Sequence, residues 1–240
     1  MVQQKLPKIL RKHIVIDDDF LRKNYVGNKL NIKQGSTAID DTITLYKYTL
    51  GDNVTLLDDD KKKKVQNLLN NIDAKEKEIV THESQHVHNH AIGYHYLATS
   101  DNIYECMMLA LADEMSAMMA GYLCDNHDVD KSIDKTIENL SGSTRTSYIQ
   151  IQFADHFRLL QRVHGDNKNL YEHKFDSKKI NKILKWYFTI DGQDVMNQMS
   201  KTAKLKFGNF MVETKNEIKR FIDNYIQNQT LSNQSNYTLG

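Results

Sequence analysis

The sequence predicts a mainly α-helical α+β protein with a small β-hairpin or sheet in its N-terminal part. Helix-breaking residues are scarce, since the 240 residues include one proline and ten glycines, and long uninterrupted helices are therefore expected. The segment Thr42–Leu50, TITLYKYTL, alternates β-branched and aromatic residues and predicts a strand. Residues 51–53, Gly-Asp-Asn, mark a turn, and residues 54–57 are the predicted returning strand of a hairpin.

The composition is that of a globular protein and gives no sign of a nucleic-acid or membrane partner. Hydrophobic residues make up 40% of the chain, which is ordinary for a globular domain, and the formal net charge is +1. A chain so nearly neutral gives no reason to expect a nucleic-acid or anionic-membrane partner. No signal-like segment and no apolar run long enough to cross a bilayer is present, so we expect a soluble, cytoplasmic protein without a membrane segment.

Four segments are predicted along the chain. Residues 1–41 form an N-terminal arm, residues 42–124 hold the strands and the motif helices, residues 125–226 form a helical lobe, and residues 227–240 are a polar tail. The tail, QNQTLSNQSNYTLG, is expected to lack ordered structure of its own. The helical lobe is predicted to contain five helices, at residues 128–140, 146–163, 176–188, 191–202 and 207–226.

Acidic and amide residues predict where the central helices begin. Residues 58–60 are aspartates followed by four lysines, an order that complements a helix dipole. The pattern D-x-x-E at residues 73–76 predicts the start of the motif helix, and N-x-x-E at residues 102–105 predicts the next. The body of that second helix, residues 107–123, is apolar on all sides and is predicted to be buried.

Residues 82–86, His-Glu-Ser-Gln-His, fit the pattern H-E-x-x-H. On a helix, His82 and His86 lie four residues apart on one face and can bind the same metal ion. Glu83 follows the first histidine and can reach a water molecule on that ion as a general base. A catalytic zinc usually takes three protein ligands, so another part of the chain has to supply the third.

Two carboxylates in the predicted buried helix are candidates for that third ligand. Asp113 and Glu114 lie in the middle of an otherwise apolar segment. A buried, ionised carboxylate is normally paired with a cation, which can be a lysine, an arginine or a metal ion. We favour Glu114 as the ligand and retain Asp113 as the alternative ligand or as a supporting residue.

Taken together, His82-Glu83-x-x-His86 and the downstream Asp113-Glu114 resemble the zincin metallopeptidases, and among them the gluzincin arrangement. The resemblance covers about residues 42–123. It implies a zincin-like core in which His82, His86 and Glu114 bind Zn²⁺. It also implies that Glu83 acts as general base and then as proton donor during hydrolysis of a peptide or protein substrate.

The resemblance implies two further parts of a peptidase site. An upstream strand of the family binds extended substrate by its edge, and Thr42–Leu50 or residues 54–57 could fill that place. A histidine or tyrosine usually stabilises the transition state. The candidates are Tyr122, Tyr148 and His156, and the sequence does not select among them.

Other readings remain open. The chain could be a non-catalytic structural protein with a zincin-like fold and protein assembly partners, for example a phage virion component, because its lysine- and asparagine-rich composition resembles that of AT-rich bacteria and their phages. A di-iron helical bundle would also use Glu83-x-x-His86, but it needs that element twice and the sequence has it once. A histidine-rich metal buffer is disfavoured, since residues two apart, such as His86 and His88 or His88 and His90, do not face one ion.

Overall fold

The computed structural model describes residues 7–26, 29–38, 40–99, 102–142, 146, 150 and 176–236. Over these residues the fold is mixed α+β, with helices predominating and small sheets, as the sequence predicts. The chain divides into two compact units, residues 1–87 and residues 88–240. Apart from residues 146 and 150, the helix predicted at 146–163 lies outside the described residues.

The first unit is built on a three-stranded sheet. Its elements are β1 (Lys8–Ile16), α1 (Asp18–Asn24), β2 (Tyr25–Val26), β3 (Lys29–Leu30), β4 (Gly35–Thr37), β5 (Thr42–Leu50) and α2 (Asp59–Ala74), followed by the start of α3 (Glu76–Thr99). The strand order is β1-β5-β4, with β1 parallel and β4 antiparallel to β5. Strands β1 and β4, which lie within the arm predicted at residues 1–41, therefore share one sheet with the strand at 42–50, and β2 and β3 pair in a separate two-stranded sheet.

The strand predicted at Thr42–Leu50 is confirmed, but the hairpin predicted after it is wrong. Residues 54–57 are not a strand, because the backbone N–H groups of Thr55 and Leu56 donate to the carboxylate of Asp18, each at 3.0 Å. The apolar side chains of Val54 and Leu57 are buried in the core of the unit. The apolar residues of this segment therefore pack into the core and do not pair with β5.

Helix α2 packs against the sheet and contributes to the core of the unit. It begins at Asp59, which confirms the helix start predicted at residues 58–60. Asp58 is its N-cap, and its side chain accepts the N–H of Lys61 at 2.8 Å. The core of the unit contains Ile16, Leu21, Tyr48, Val54, Leu57, Val65, Leu69 and Ile72.

The motif helix begins later than the sequence predicts. Helix α2 continues through Asp73 to Ala74, and α3 starts at Glu76 after a break at Lys75. Asp73 therefore lies in the last turn of α2, with its carboxylate 3.8 Å from the ammonium of Lys47. The capping pattern at residues 73–76 is thus divided between two helices.

Glu76 links the start of α3 to the sheet. Its carboxylate lies 2.8 Å from Lys47 Nζ and 2.8 Å from Arg11 Nη2. The hydrogen bonds from Lys47 and then Arg11 lower the pKa of Glu76 below its usual value. A lowered pKa in the folded state means stability that is present above the unfolded pKa and lost as pH falls through the folded pKa.

We therefore expect Glu76→Gln to lower the free energy of unfolding at pH 6. The loss should be at most about 1 kcal/mol, because the ion pairs of Glu76 with Lys47 and Arg11 are partly exposed. The difference should shrink as the pH falls and the carboxylate of Glu76 is protonated. Urea denaturation from pH 6 to pH 3 measures it, with the exposed Glu138→Gln as the matched control. A difference that stayed constant to pH 3 would contradict the assignment.

The second unit is helical. It contains the rest of α3, then α4 (Ile103–Asn126), α5 (Val129–Leu140), α6 (Ser177–Tyr187), β6 (Thr189–Ile190), β7 (Gln193–Asp194), α7 (Val195–Gln198) and α8 (Lys201–Asn236). The central helix α4 packs against α5, α6 and α8, and most of its residues up to Gly121 are buried. Asn102 is its N-cap and accepts the N–H of Glu105 at 3.2 Å, as predicted.

Two predictions for this unit are wrong. Residues 191–202 are not one helix, because Asp191 and Gly192 adopt positive φ angles of 51° and 74° and turn the chain between β6 and β7. The Asp-Gly pair is the usual signal for such a tight hairpin. The tail predicted to be unstructured is helical to Asn236, since no glycine or proline interrupts α8 after Gly208.

Within the described part of the chain, no helix combines the length and the apolar character needed to span a membrane.

Candidate metal centre

The two motif histidines meet on one face of α3. The Nε2 atoms of His82 and His86 lie 3.2 Å apart, and the rings are 4.9 Å apart and nearly perpendicular. A tetrahedral zinc ion with Zn–N bonds of about 2.0–2.1 Å holds two nitrogens roughly 3.3 Å apart. The observed spacing suits two ligands of one ion, and it is also the length of a hydrogen bond between the two imidazoles.

Glu114 of α4 joins the two histidines. One ligand atom from each of His82, His86 and Glu114 lies within 4.8 Å of the others, and the three side chains are half-buried. Two imidazole nitrogens and a carboxylate oxygen form a donor set that zinc takes in catalytic sites, where the fourth position is kept for water. The cluster could hold a metal ion, and its chemistry fits zinc.

Asp113, the alternative ligand, is held in a different set of contacts. Its carboxylate accepts a hydrogen bond from the amide of Asn89 at 2.7 Å. The same amide group donates to the hydroxyl of Ser116 at 2.7 Å, and that hydroxyl donates to the carbonyl of Asp113 at 2.9 Å. Asn89 and Ser116 are buried. This network fixes the turn of α4 that carries Glu114, and it favours Glu114 over Asp113 as the ligand.

The carboxylate of Glu83 points to the sheet. The Glu83 side chain is buried, and the hydroxyl of Thr37 donates to its Oε2 at 2.7 Å. The same hydroxyl lies 3.0 Å from the backbone carbonyl of Glu83. Gly35 lies against the other carboxylate oxygen, because a Cβ built there would stand 2.6 Å from Oε1. Thr37 and Gly35 are both in β4, so this strand forms the wall beside the motif glutamate.

Sequence reasoning missed Thr37 and Gly35. They lie 46 or more residues before Glu83, around a stretch that has the glycine and asparagine content of a loop. No local pattern in the sequence ties them to the motif.

The strand proposed to bind substrate also needs correction. β5 pairs with β1 along its whole length on one side and with β4 at Ile43–Leu45 on the other, so it is the middle strand of the sheet. Residues 54–57 are not a strand. Of the described strands, β4 is the edge strand in contact with Glu83.

Two other side chains singled out by the sequence make contacts of their own. His88 stacks on Trp186, with ring centroids 4.3 Å apart, and burial lowers the pKa of its imidazole. The hydroxyl of Tyr122 accepts the amide of Asn139, and Lys135 lies over its ring at 4.1 Å. The other transition-state candidates, Tyr148 and His156, lie outside the described residues.

Comparison of the chain with protein-family models, with curated proteins and with solved structures found no match. The resemblance to zincins therefore rests on the residues and their geometry.

Proposed function

We propose that the protein is a zinc-dependent metallopeptidase of the zincin type. The observation that carries the proposal is the meeting of His82, His86 and Glu114, with the motif glutamate next to the first histidine in the sequence. The 3.2 Å spacing of the two imidazole nitrogens supports it, because this spacing suits one tetrahedral ion.

The residues would divide the work of hydrolysis. When bound by His82, His86 and Glu114, zinc supplies Lewis-acid chemistry that polarises the scissile carbonyl and acidifies a water molecule. Glu83 accepts the proton as the water oxygen attacks the carbonyl carbon, and then passes it to the leaving amine as the C–N bond breaks. The edge of β4 can bind an extended peptide through backbone hydrogen bonds.

Metal removal tests this proposal directly. We expect the protein, purified without added metal, to contain about one zinc per chain and to cleave members of a peptide library. Chelation should abolish cleavage and restored zinc should recover it, since the nucleophile depends on the ion. Mass spectrometry of the library gives the readout.

Two outcomes would count against a peptidase. Cleavage that survived full removal of the metal would contradict the proposed chemistry. One zinc per chain without cleavage of any peptide would favour the second reading, a structural or interaction protein that keeps a zincin-like site.

A further inference from the structure

Strand β4 contacts Glu83 at two points. Thr37 donates a hydrogen bond to Oε2, and Gly35 lies beside Oε1. The intervening Ser36 pairs with Thr44 of β5, so the sheet ladder holds both contact residues in place. A strand built into a sheet is a stiff support compared with a loop.

Thr37 is suited to orient an ionised carboxylate. Its hydroxyl has one hydrogen to donate and two nearby acceptors, Oε2 of Glu83 at 2.7 Å and the carbonyl of Glu83 at 3.0 Å. The carboxylate is the nearer acceptor, and a bond to an ionised oxygen is stronger than one to a neutral carbonyl. Thr37 thus holds the carboxylate of Glu83 through Oε2.

Gly35 is required for space. A Cβ at this position would lie 2.6 Å from Oε1, 2.9 Å from Cγ and 3.0 Å from Cδ of Glu83. These atoms run along the glutamate side chain and not only at its tip, so a larger residue would displace the whole carboxylate. The backbone of Gly35 does not have the positive φ that favours glycine, so the contact itself explains this residue.

We propose that β4 positions the general base: Thr37 orients the Glu83 carboxylate through its hydrogen bond, and Gly35 keeps the space that the carboxylate occupies. The inference rests on the proposed peptidase function for its kinetic part. The contact between Thr37 and Glu83 can be tested without any activity.

The kinetic test compares Thr37→Val, which removes the hydroxyl at nearly constant shape, with Thr37→Ser, which keeps it. We expect Thr37→Val to lower kcat about ten- to a hundred-fold, with KM and zinc content within about twofold of the wild type. Thr37→Ser should recover most of the rate. Thr202→Val makes the same change at an exposed position of α8 and should leave kcat unchanged. An unchanged kcat in Thr37→Val would overturn the role.

Gly35→Ala provides a second route to the same answer. Displacement of the carboxylate should lower kcat at least as much as Thr37→Val does, while zinc remains bound to the unchanged ligands. Gly208→Ala is the matched control, because a Cβ there meets nothing within 4 Å. Full activity in Gly35→Ala would contradict the proposed packing.

A double-mutant cycle tests the contact in a protein with or without peptidase activity. The urea midpoint is measured for the wild type, Thr37→Val, Glu83→Ala and the double variant. We expect Thr37→Val to lower the midpoint in the wild-type background and to lower it much less when Glu83 is alanine. Equal effects in both backgrounds would overturn the contact. Coupling without hydrolysis in the wild type would retain the contact and reject the peptidase.

Discussion

Replacement of Glu83 by glutamine is expected to abolish hydrolysis while zinc stays bound. Glutamine keeps the shape of the side chain and can still accept the hydrogen bond from Thr37, but it cannot take a proton from water. Loss of a general base commonly costs about 10²–10⁴-fold in rate. Because Glu83 is not one of the three clustered ligand residues, the zinc content should match that of the wild type. Peptide hydrolysis and metal analysis on the same preparation measure both quantities.

The matched control is Glu78→Gln, five residues earlier on α3. The carboxylate of Glu78 lies 3.6 Å from Lys75 Nζ. The control variant makes the same chemical change on the same helix and should leave the rate unchanged. Full hydrolysis by Glu83→Gln would reject Glu83 as the base. Loss of zinc in Glu83→Gln would show that the residue acts on the metal site itself.

The second large effect is expected from the ligands. His82→Ala, His86→Ala and Glu114→Ala should each weaken zinc binding by more than about a hundred-fold, since loss of an outer partner alone costs 10–100-fold. A folded chain gains about 4 kcal/mol when free zinc is 1,000 times its Kd. The wild type should therefore unfold at a higher temperature with zinc than without it, and the variants should lose most of that difference.

Two controls make this result specific. His13→Ala removes an exposed histidine of β1 and should keep both the zinc and the thermal shift. Asp113→Asn should also keep zinc, because the new amide oxygen can still accept the hydrogen bond from Asn89 and residue 113 is not in the cluster. Full zinc content in Glu114→Ala, with loss in an Asp113 variant, would reverse the assignment of the third ligand.

The parts that sequence reasoning predicted are those decided within a few residues. The cap at Asn102 is predicted because a capping side chain acts on an N–H group three residues ahead, and the helix start at Asp58 is predicted because acidic residues favour the first turn. The strand at Thr42–Leu50 is predicted because its own side chains favour extended backbone. The break between α2 and α3 lies at Lys75, two residues after the helix start predicted at Asp73, because α2 continues through the predicted cap.

Pairing between distant segments was beyond local patterns. The parallel register of β1 with β5 joins Lys8 to Thr42 and Ile16 to Leu50. A parallel pair needs a long crossover connection, so no turn signal announces it. The hairpin predicted at residues 51–57 is wrong for a different reason. The chain after the turn enters the core of the unit and does not run back along β5.

By itself, the amino-acid sequence determined that His82 and His86 share a helix face, because that follows from the 3.6-residue repeat of one element. It also placed Glu83 beside them and supplied the two acidic candidates, Asp113 and Glu114. Only the tertiary structure decided that Glu114 joins the histidines and that β4 packs on Glu83. Those contacts join residues 28 to 48 positions apart. Packing of separate elements, and not the repeat of any one of them, brings such residues together.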